Sequence, residues 1–307
     1  MTMNCPTNLK PLFTRQQVQH PASCAFTLTE LLVVLATLGI LAILLLPALA
    51  GTQPGSTKAF QCLNNMRQLA VAWTLYAEDN HDRLAINSDP HVFGSGSFPH
   101  TSTSPSWITG TVDWTAGQYN TNTSYLTNDK YSLLGSYLGR SANVFACPAT
   151  ATFISPVQQT LGWSQRSRSV AMNAAVGDGD KYSEPANPFG WTSWYVAKRS
   201  TDFHSPGPSS VWVFADEHPD SIDDGLIYTA DYAVTVFTEL PGSQHDGACG
   251  VTFADGRAEI HKWQGPIAHV PVIFRISIGA LPNGRQEVPC TTNDPDMLWL
   301  AQHTPRN

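Results

Sequence analysis

Twenty consecutive residues without a charge, LLVVLATLGILAILLLPALA from Leu31 to Ala50, constrain this chain more than any other feature. As a helix rising 1.5 Å per residue the run spans about 30 Å, the thickness of a bilayer's hydrocarbon core. The segment before it, Met1 to Ala25, holds Lys10 and Arg15 and no acid, and Lys58 and Arg67 follow the run. Positive-inside reasoning then predicts a cytoplasmic N-terminus and an exported C-terminal bulk.

Three readings fit. Ala48-Leu49-Ala50 has the small-x-small pattern of a leader-peptidase site, although the run exceeds the ~7–15 apolar residues of an ordinary signal. A plain signal-anchor is the second. A lipoprotein signal at Cys24 fails, because no apolar run precedes Pro21-Ala22-Ser23. The third reading turns on Glu30, at the head of the run. A carboxylate costs about 2.5–3.5 kcal/mol at mid-bilayer, less near the interface, and calls for a named partner.

The stretch Ala25-Phe26-Thr27-Leu28-Thr29-Glu30-Leu31-Leu32-Val33-Val34 resembles the prepilin cleavage and methylation motif. The resemblance implies cleavage between Ala25 and Phe26 by a prepilin peptidase, with methylation of the new Phe26 amine. It also implies that Glu30 pairs with the Phe26 amine of a neighbouring subunit during assembly. Gly39 and Pro47 fall where pilin-like helices carry them. The family usually has Gly before the cut, where this chain has Ala25.

Beyond the run, Gly51 to Gly55 predicts a break. Phe60, Leu63, Met66, Leu69, Ala70, Trp73, Tyr76 and Ala77 then recur at three- and four-residue steps. They predict an amphipathic helix ending near Asp79-Asn80, its stripe laid on a sheet. Residues 87–128, rich in Ser, Thr, Asn, Gly and Pro, read as short strands and long loops. Strand candidates follow at 211–214, 232–237, 251–253 and 258–263. Asp255-Gly256 between Val251–Ala254 and Arg257–Ile260 predicts a hairpin on a two-residue type I′ turn. With His245 ahead of it, this stretch resembles the His-x9-Asp-Gly signature of large pilin-like proteins. So do CLNNMRQL at Cys62–Leu69 and the segments Pro208–Ser210 and Val213–Asp220.

The acids Asp216, Glu217, Asp220, Asp223 and Asp224, beside Gly225, form a candidate Ca²⁺ site, since hard cations take six to eight oxygens. Resemblance to major pseudopilins also implies Ca²⁺ in a C-terminal loop. A solvated turn, or another metal held by His218 or His245, are the alternatives. His245, Asp255 and Gly256 read as a structural motif, with acid/base or metal work as the alternative. No nucleophile elbow, zincin, P-loop or dinucleotide motif occurs, so a non-enzyme is expected. With 17 Lys+Arg against 24 Asp+Glu and no basic block, nucleic-acid binding is excluded as a reading.

Of six cysteines, Cys5 and Cys24 leave with the leader. Cys62, Cys147, Cys249 and Cys290 remain as disulfide candidates with three connectivities, or as buried thiols. The pilin-like contexts of Cys62 and Cys147 imply that these two pair, leaving Cys249 for Cys290. The nine Trp residues are read as core and sheet-edge cover rather than a carbohydrate-binding face.

The expected fold is α+β and pilin-like: a long N-terminal helix, its first half transmembrane, packed on an antiparallel β-sheet with large loop insertions. The expected organisation is a leader at 1–25, a transmembrane and assembly helix at 26–50, an amphipathic stalk helix at 51–80 and an exported β-rich domain at 81–307. The resemblance implies a structural pseudopilin-like subunit of a type II secretion or type IV pilus-like system, single-pass in the bacterial inner membrane. Its partners would be the prepilin peptidase/N-methyltransferase, other pilin-like subunits and the assembly platform. The alternative is an anchored, exported binding module, for carbohydrate or dependent on Ca²⁺, or an enzyme.

Overall fold

The computed structural model describes residues 27–50, 54–87, 106–177, 195–227, 235–237, 239–274 and 288–306. The expected cleavage site, Ala25 and Phe26, lies outside them. The chain divides into two compact units, Met1–Thr52 and Gln53–Asn307.

In the first unit, helix α1 runs from Leu28 to Ala50. Thr27 and Glu30 start it as a reciprocal capping box. The Glu30 N–H donates to Thr27 Oγ1 at 3.3 Å, and Glu30 Oε2 accepts from the Thr27 N–H at 2.8 Å. Among the described residues, no helix is long and apolar enough to cross a membrane. This corrects the expected transmembrane first half and, with it, the single-pass inner-membrane placement.

In the second unit, Pro54 opens helix α2, which ends at Asp79. Proline suits a first helical position because its missing N–H would have no intrahelical partner there. Asn80 stops the helix: its side chain donates to Tyr76 O at 2.7 Å, while His81 and Asp82 take φ of 60° and 61°. The buried face of α2 is Cys62, Met66, Leu69, Ala70, Trp73 and Ala77. Phe60 is not part of it, being 67% exposed. Two short helices follow, α3 (Ser124–Thr127) and α4 (Pro156–Thr160).

The strands are β1 (Val170–Asn173), β2 (Trp212–Asp216), β3 (Leu226–Ile227), β4 (Val236–Phe237), β5 (Ala248–Phe253), β6 (Ala258–Lys262) and β7 (Val288–Pro289), before helix α5 (Pro295–Gln302). Five of them form one sheet in the order β3-β1-β2-β5-β6, and β4 pairs with β7 in a separate ribbon. The sheet is mixed, which corrects the expected antiparallel one. After β2 the chain turns back through residues 217–225 and sets β3 on the far side of β1, so β3 and β1 run parallel. The other pairings are antiparallel.

Helix α2 lies on β5, β6 and β2, joined on that face by Trp107, Phe145, Met172 and Val213. The opposite face buries Trp212, Ala215, Cys249, Val251, Phe253 and Trp263 with Met297 and Leu300 of α5. Cys249, Val251 and Phe253 share that face because strand side chains alternate. Register slips between Trp212 and Ala215. There the Phe214 N–H donates to Thr252 Oγ1 at 3.0 Å, a side chain taking the place of a ladder partner.

The β5–β6 hairpin forms where the sequence places it, with a different turn. Gly256 has φ +87° and Asp255 is not in the positive region, so the type I′ expectation fails. The Gly256 N–H donates to Phe253 O at 3.0 Å, and the Phe253 N–H to Arg257 O at 2.8 Å. This is a three-residue loop closed by a left-handed glycine. Asp255 serves it by accepting from the Arg257 N–H at 3.0 Å.

The face of α2 gives a direct test. Leu69→Ala should cost about 2–5 kcal/mol, as for other buried leucines. Val71→Ala, on the exposed side, should stay within about 0.5 kcal/mol. Urea unfolding of the two variants measures the difference, and equal costs would refute the assigned face.

Candidate functional site

Three side chains from distant parts of the chain meet where α2 crosses the sheet. Cys62 comes from α2. It sits over Gly250 of β5, where an added Cβ would stand 2.8 Å from Cys62 Sγ and 2.9 Å from Met66 Cγ. Cys147 follows a 3₁₀ turn at Ala142–Phe145. Asn65 ties that turn to α2, donating to Asn143 O and Ala146 O at 3.1 and 3.0 Å. His245 stands in the loop before β5. Asp246 and Gly247 turn this loop with φ of 58° and 75°, and the His245 N–H donates to Ala248 O at 3.1 Å.

The result is a compact triad. Cys147 Sγ and His245 Nε2 are 3.1 Å apart, and the ligand atoms of Cys62, Cys147 and His245 all lie within 4.8 Å of one another. Both cysteines are buried, and all four described cysteines are free thiols. Asp216, at the end of β2, stands behind Cys147. It accepts from Ser169 Oγ at 2.6 Å and from Thr150 Oγ1, and the Cys147 N–H donates to Ser169 Oγ at 2.7 Å.

Charge is unevenly shared between the two sulfurs. The hydrogen bond to Cys147, and burial after it, hold Cys62 well above the ordinary thiol value. Burial alone would raise Cys147 as well. Hydrogen bonds from Cys62 and His245, the attraction of His245 and the Ala149 N–H outweigh it and bring Cys147 down to about 4. Burial, and then the Cys147 charge, push Asp216 well above the carboxylate range. The arrangement is one thiolate, one thiol, one imidazole and a carboxyl held towards its neutral form: a soft donor set suited to a thiophilic metal or to thiol chemistry.

The other sequence candidates fall elsewhere. Glu30 caps α1, and the hydrogen bonds from Thr27 hold its pKa down. Asp255 and Gly256 form the hairpin tip, at the other end of β5 from His245. Cys249 belongs to the opposite face of the sheet, with Cys290 half-buried against the same core.

The five acids are buried rather than solvated, and they divide among different partners. Glu217 accepts from Ser221 Oγ at 2.7 Å, Asp220 from Trp114 Nε1 at 3.0 Å and from the Ile273 N–H at 2.6 Å, and Asp224 from the Leu226 N–H at 2.7 Å. They do not gather three carboxylates around one point; among the described residues, only the Cys62–Cys147–His245 group meets that spacing. Their counter-charges are Arg166 and Arg168, both fully buried. Burial lowers these to about 9 and about 10, so both stay charged at neutral pH. Arg168 reaches Asp223 O at 3.1 Å and also Asp224 O. The sequence reading passed over these arginines, although the Arg-Ser-Arg at 166–168 was the available signal.

Compared with family models, with curated proteins and with solved structures, the chain matches none.

The thiolate yields a pH prediction. Cys147 titrates near 4 when folded and near 9.0 ordinarily, so unfolding takes up a proton between those values. Its stabilisation is complete above about pH 9 and is lost as pH falls towards 4. Asp216, with its raised pKa, acts in the opposite sense, losing stability as pH rises. The comparison is therefore wild type against Cys147→Ser, metal-free and reduced. The difference in unfolding free energy should grow from about pH 5 to about pH 8, by at most ~1.4 kcal/mol per pH unit. A flat difference would contradict the thiolate.

Proposed function

We propose that the chain is a structural, pseudopilin-like subunit of a type II secretion or type IV pilus-like apparatus, assembled with other such subunits through α1. The observation that carries this reading is the surface of α1. Leu28, Leu31, Leu32, Val33, Val34, Leu35 and Leu38 are all exposed. Five of these are consecutive, and at about 100° per residue they cover the whole circumference. A helix apolar all round needs apolar surroundings on every side, and a bundle of like helices provides them.

Glu30 supports the same reading. Within the chain it is spent on Thr27 as a cap. In an assembly its carboxylate would face the Phe26 amine of a neighbouring subunit, released by a prepilin peptidase. A buried pair of this kind costs about 3–5 kcal/mol when one partner is removed.

Two measurements test it. Co-expression with a prepilin peptidase should give a mature chain beginning at N-methylated Phe26, seen by mass spectrometry; a mature chain beginning at Gly51 would remove α1 and sink the proposal. Glu30→Gln keeps an acceptor for the Thr27 cap but removes the charge, so cleavage should persist. Crosslinking through α1 to wild-type subunits should fall at least tenfold. Normal incorporation of Glu30→Gln would show that charge pairing plays no part.

A further inference from the structure

We propose that Cys62, Cys147 and His245 bind a zinc ion, a Cys2His centre that fastens α2 to the sheet and to the loop before β5. The proposal stands on convergence: three ligand atoms from three separated segments lie within 4.8 Å of one another. Zinc takes thiolate sulfur at about 2.3 Å and imidazole nitrogen at about 2.0–2.1 Å in a tetrahedron. Ligand atoms of such a site stand about 3.5–3.8 Å apart on that geometry. The 3.1 Å between Cys147 Sγ and His245 Nε2 needs only about half an ångström of opening to reach it.

The surroundings fit a metal better than a bare cysteine pair. A disulfide between Cys62 and Cys147 has no use for an imidazole, yet the loop turns at Asp246 and Gly247 to bring Nε2 onto the sulfur. The Gly247 N–H donates to Ser243 O at 2.9 Å, and the Trp263 N–H to Gly247 O at 3.0 Å, so the ligand is held before any ion arrives. The Ala149 N–H donates to Cys147 Sγ at 3.4 Å, as outer partners of metal thiolates do. Charge also balances. Two thiolates and a neutral imidazole cancel Zn²⁺, which a buried site requires. Binding releases the remaining thiol protons to solvent. Asp216, already engaged by Ser169 and Thr150, stays outside the ligand set, and a water takes the fourth position.

The proposal is independent of how the chain assembles. The full chain, produced in zinc-supplemented medium, should carry one zinc by elemental mass spectrometry. Cys62→Ser, Cys147→Ser and His245→Gln should each lose it, while Cys290→Ser and the Cys5→Ser/Cys24→Ser double variant should keep it. Chelation of the wild type needs no substitution and guards against misfolded variants: it should lower the melting temperature by several degrees, and added Zn²⁺ should restore it. Cobalt in place of zinc should give thiolate charge-transfer absorption that disappears in Cys147→Ser. A zinc-free wild type lighter by two hydrogens, with Cys62 and Cys147 joined on peptide mapping, would overturn the proposal in favour of a disulfide. Zinc retained by both Cys62→Ser and His245→Gln would overturn it too.

Discussion

Gly250 has no side chain, and the second unit is organised around the space that leaves. A Cβ there would press on both Cys62 and Met66. Without it, α2 settles onto β5 closely enough for Met66, Leu69 and Trp73 to enter the core, and for Cys62 to reach Cys147. A glycine inside a strand ordinarily weakens it, and its usual justification is a close backbone approach. Here the approach is that of a helix, and it fixes both the packing of α2 and the position of one member of the triad.

Around that contact the protein solves a charge problem that a largely apolar interior makes severe. Asp216, Glu217, Asp220, Asp223, Asp224, Arg166 and Arg168 are all buried. An unpaired ion in such a place is costly; backbone donors, hydroxyls and two arginines answer part of it, and burial drives Asp216 and Glu217 towards their neutral forms. Asp216 is separated from the rest: it turns towards Ser169, Thr150 and the cysteines. The segment that links β2 to β3 is thus a buried polar connection between the sheet and the loops covering it.

The first unit follows a different logic. Its helix is started by a local device, the Thr27–Glu30 box, and then presents apolar side chains in all directions. Nothing within such a helix satisfies that surface. Glu30 is accordingly a residue with two uses, a cap within the chain and a charge at the head of an apolar helix.

What the sequence determined by itself was local. The periodicity from Met66 to Ala77 marked the buried face of α2, and Asp255-Gly256 marked a hairpin, because both are written in spacings of a few residues. The same local reading misplaced Phe60 and the turn type, and it missed β1, whose four buried residues show no alternation. Motif contexts set Cys62 beside Cys147 as a pair and singled out His245 separately. Only the tertiary structure decided that His245 joins the two cysteines, that Cys249 faces the other way, and that the acids after β2 are countered by Arg166 and Arg168. It also decided that β3 lies parallel to β1. The physical reason is common to all four: each depends on which segments lie side by side, and that is set by how the helices and loops pack on the two faces of one five-stranded sheet, not by any spacing along the chain.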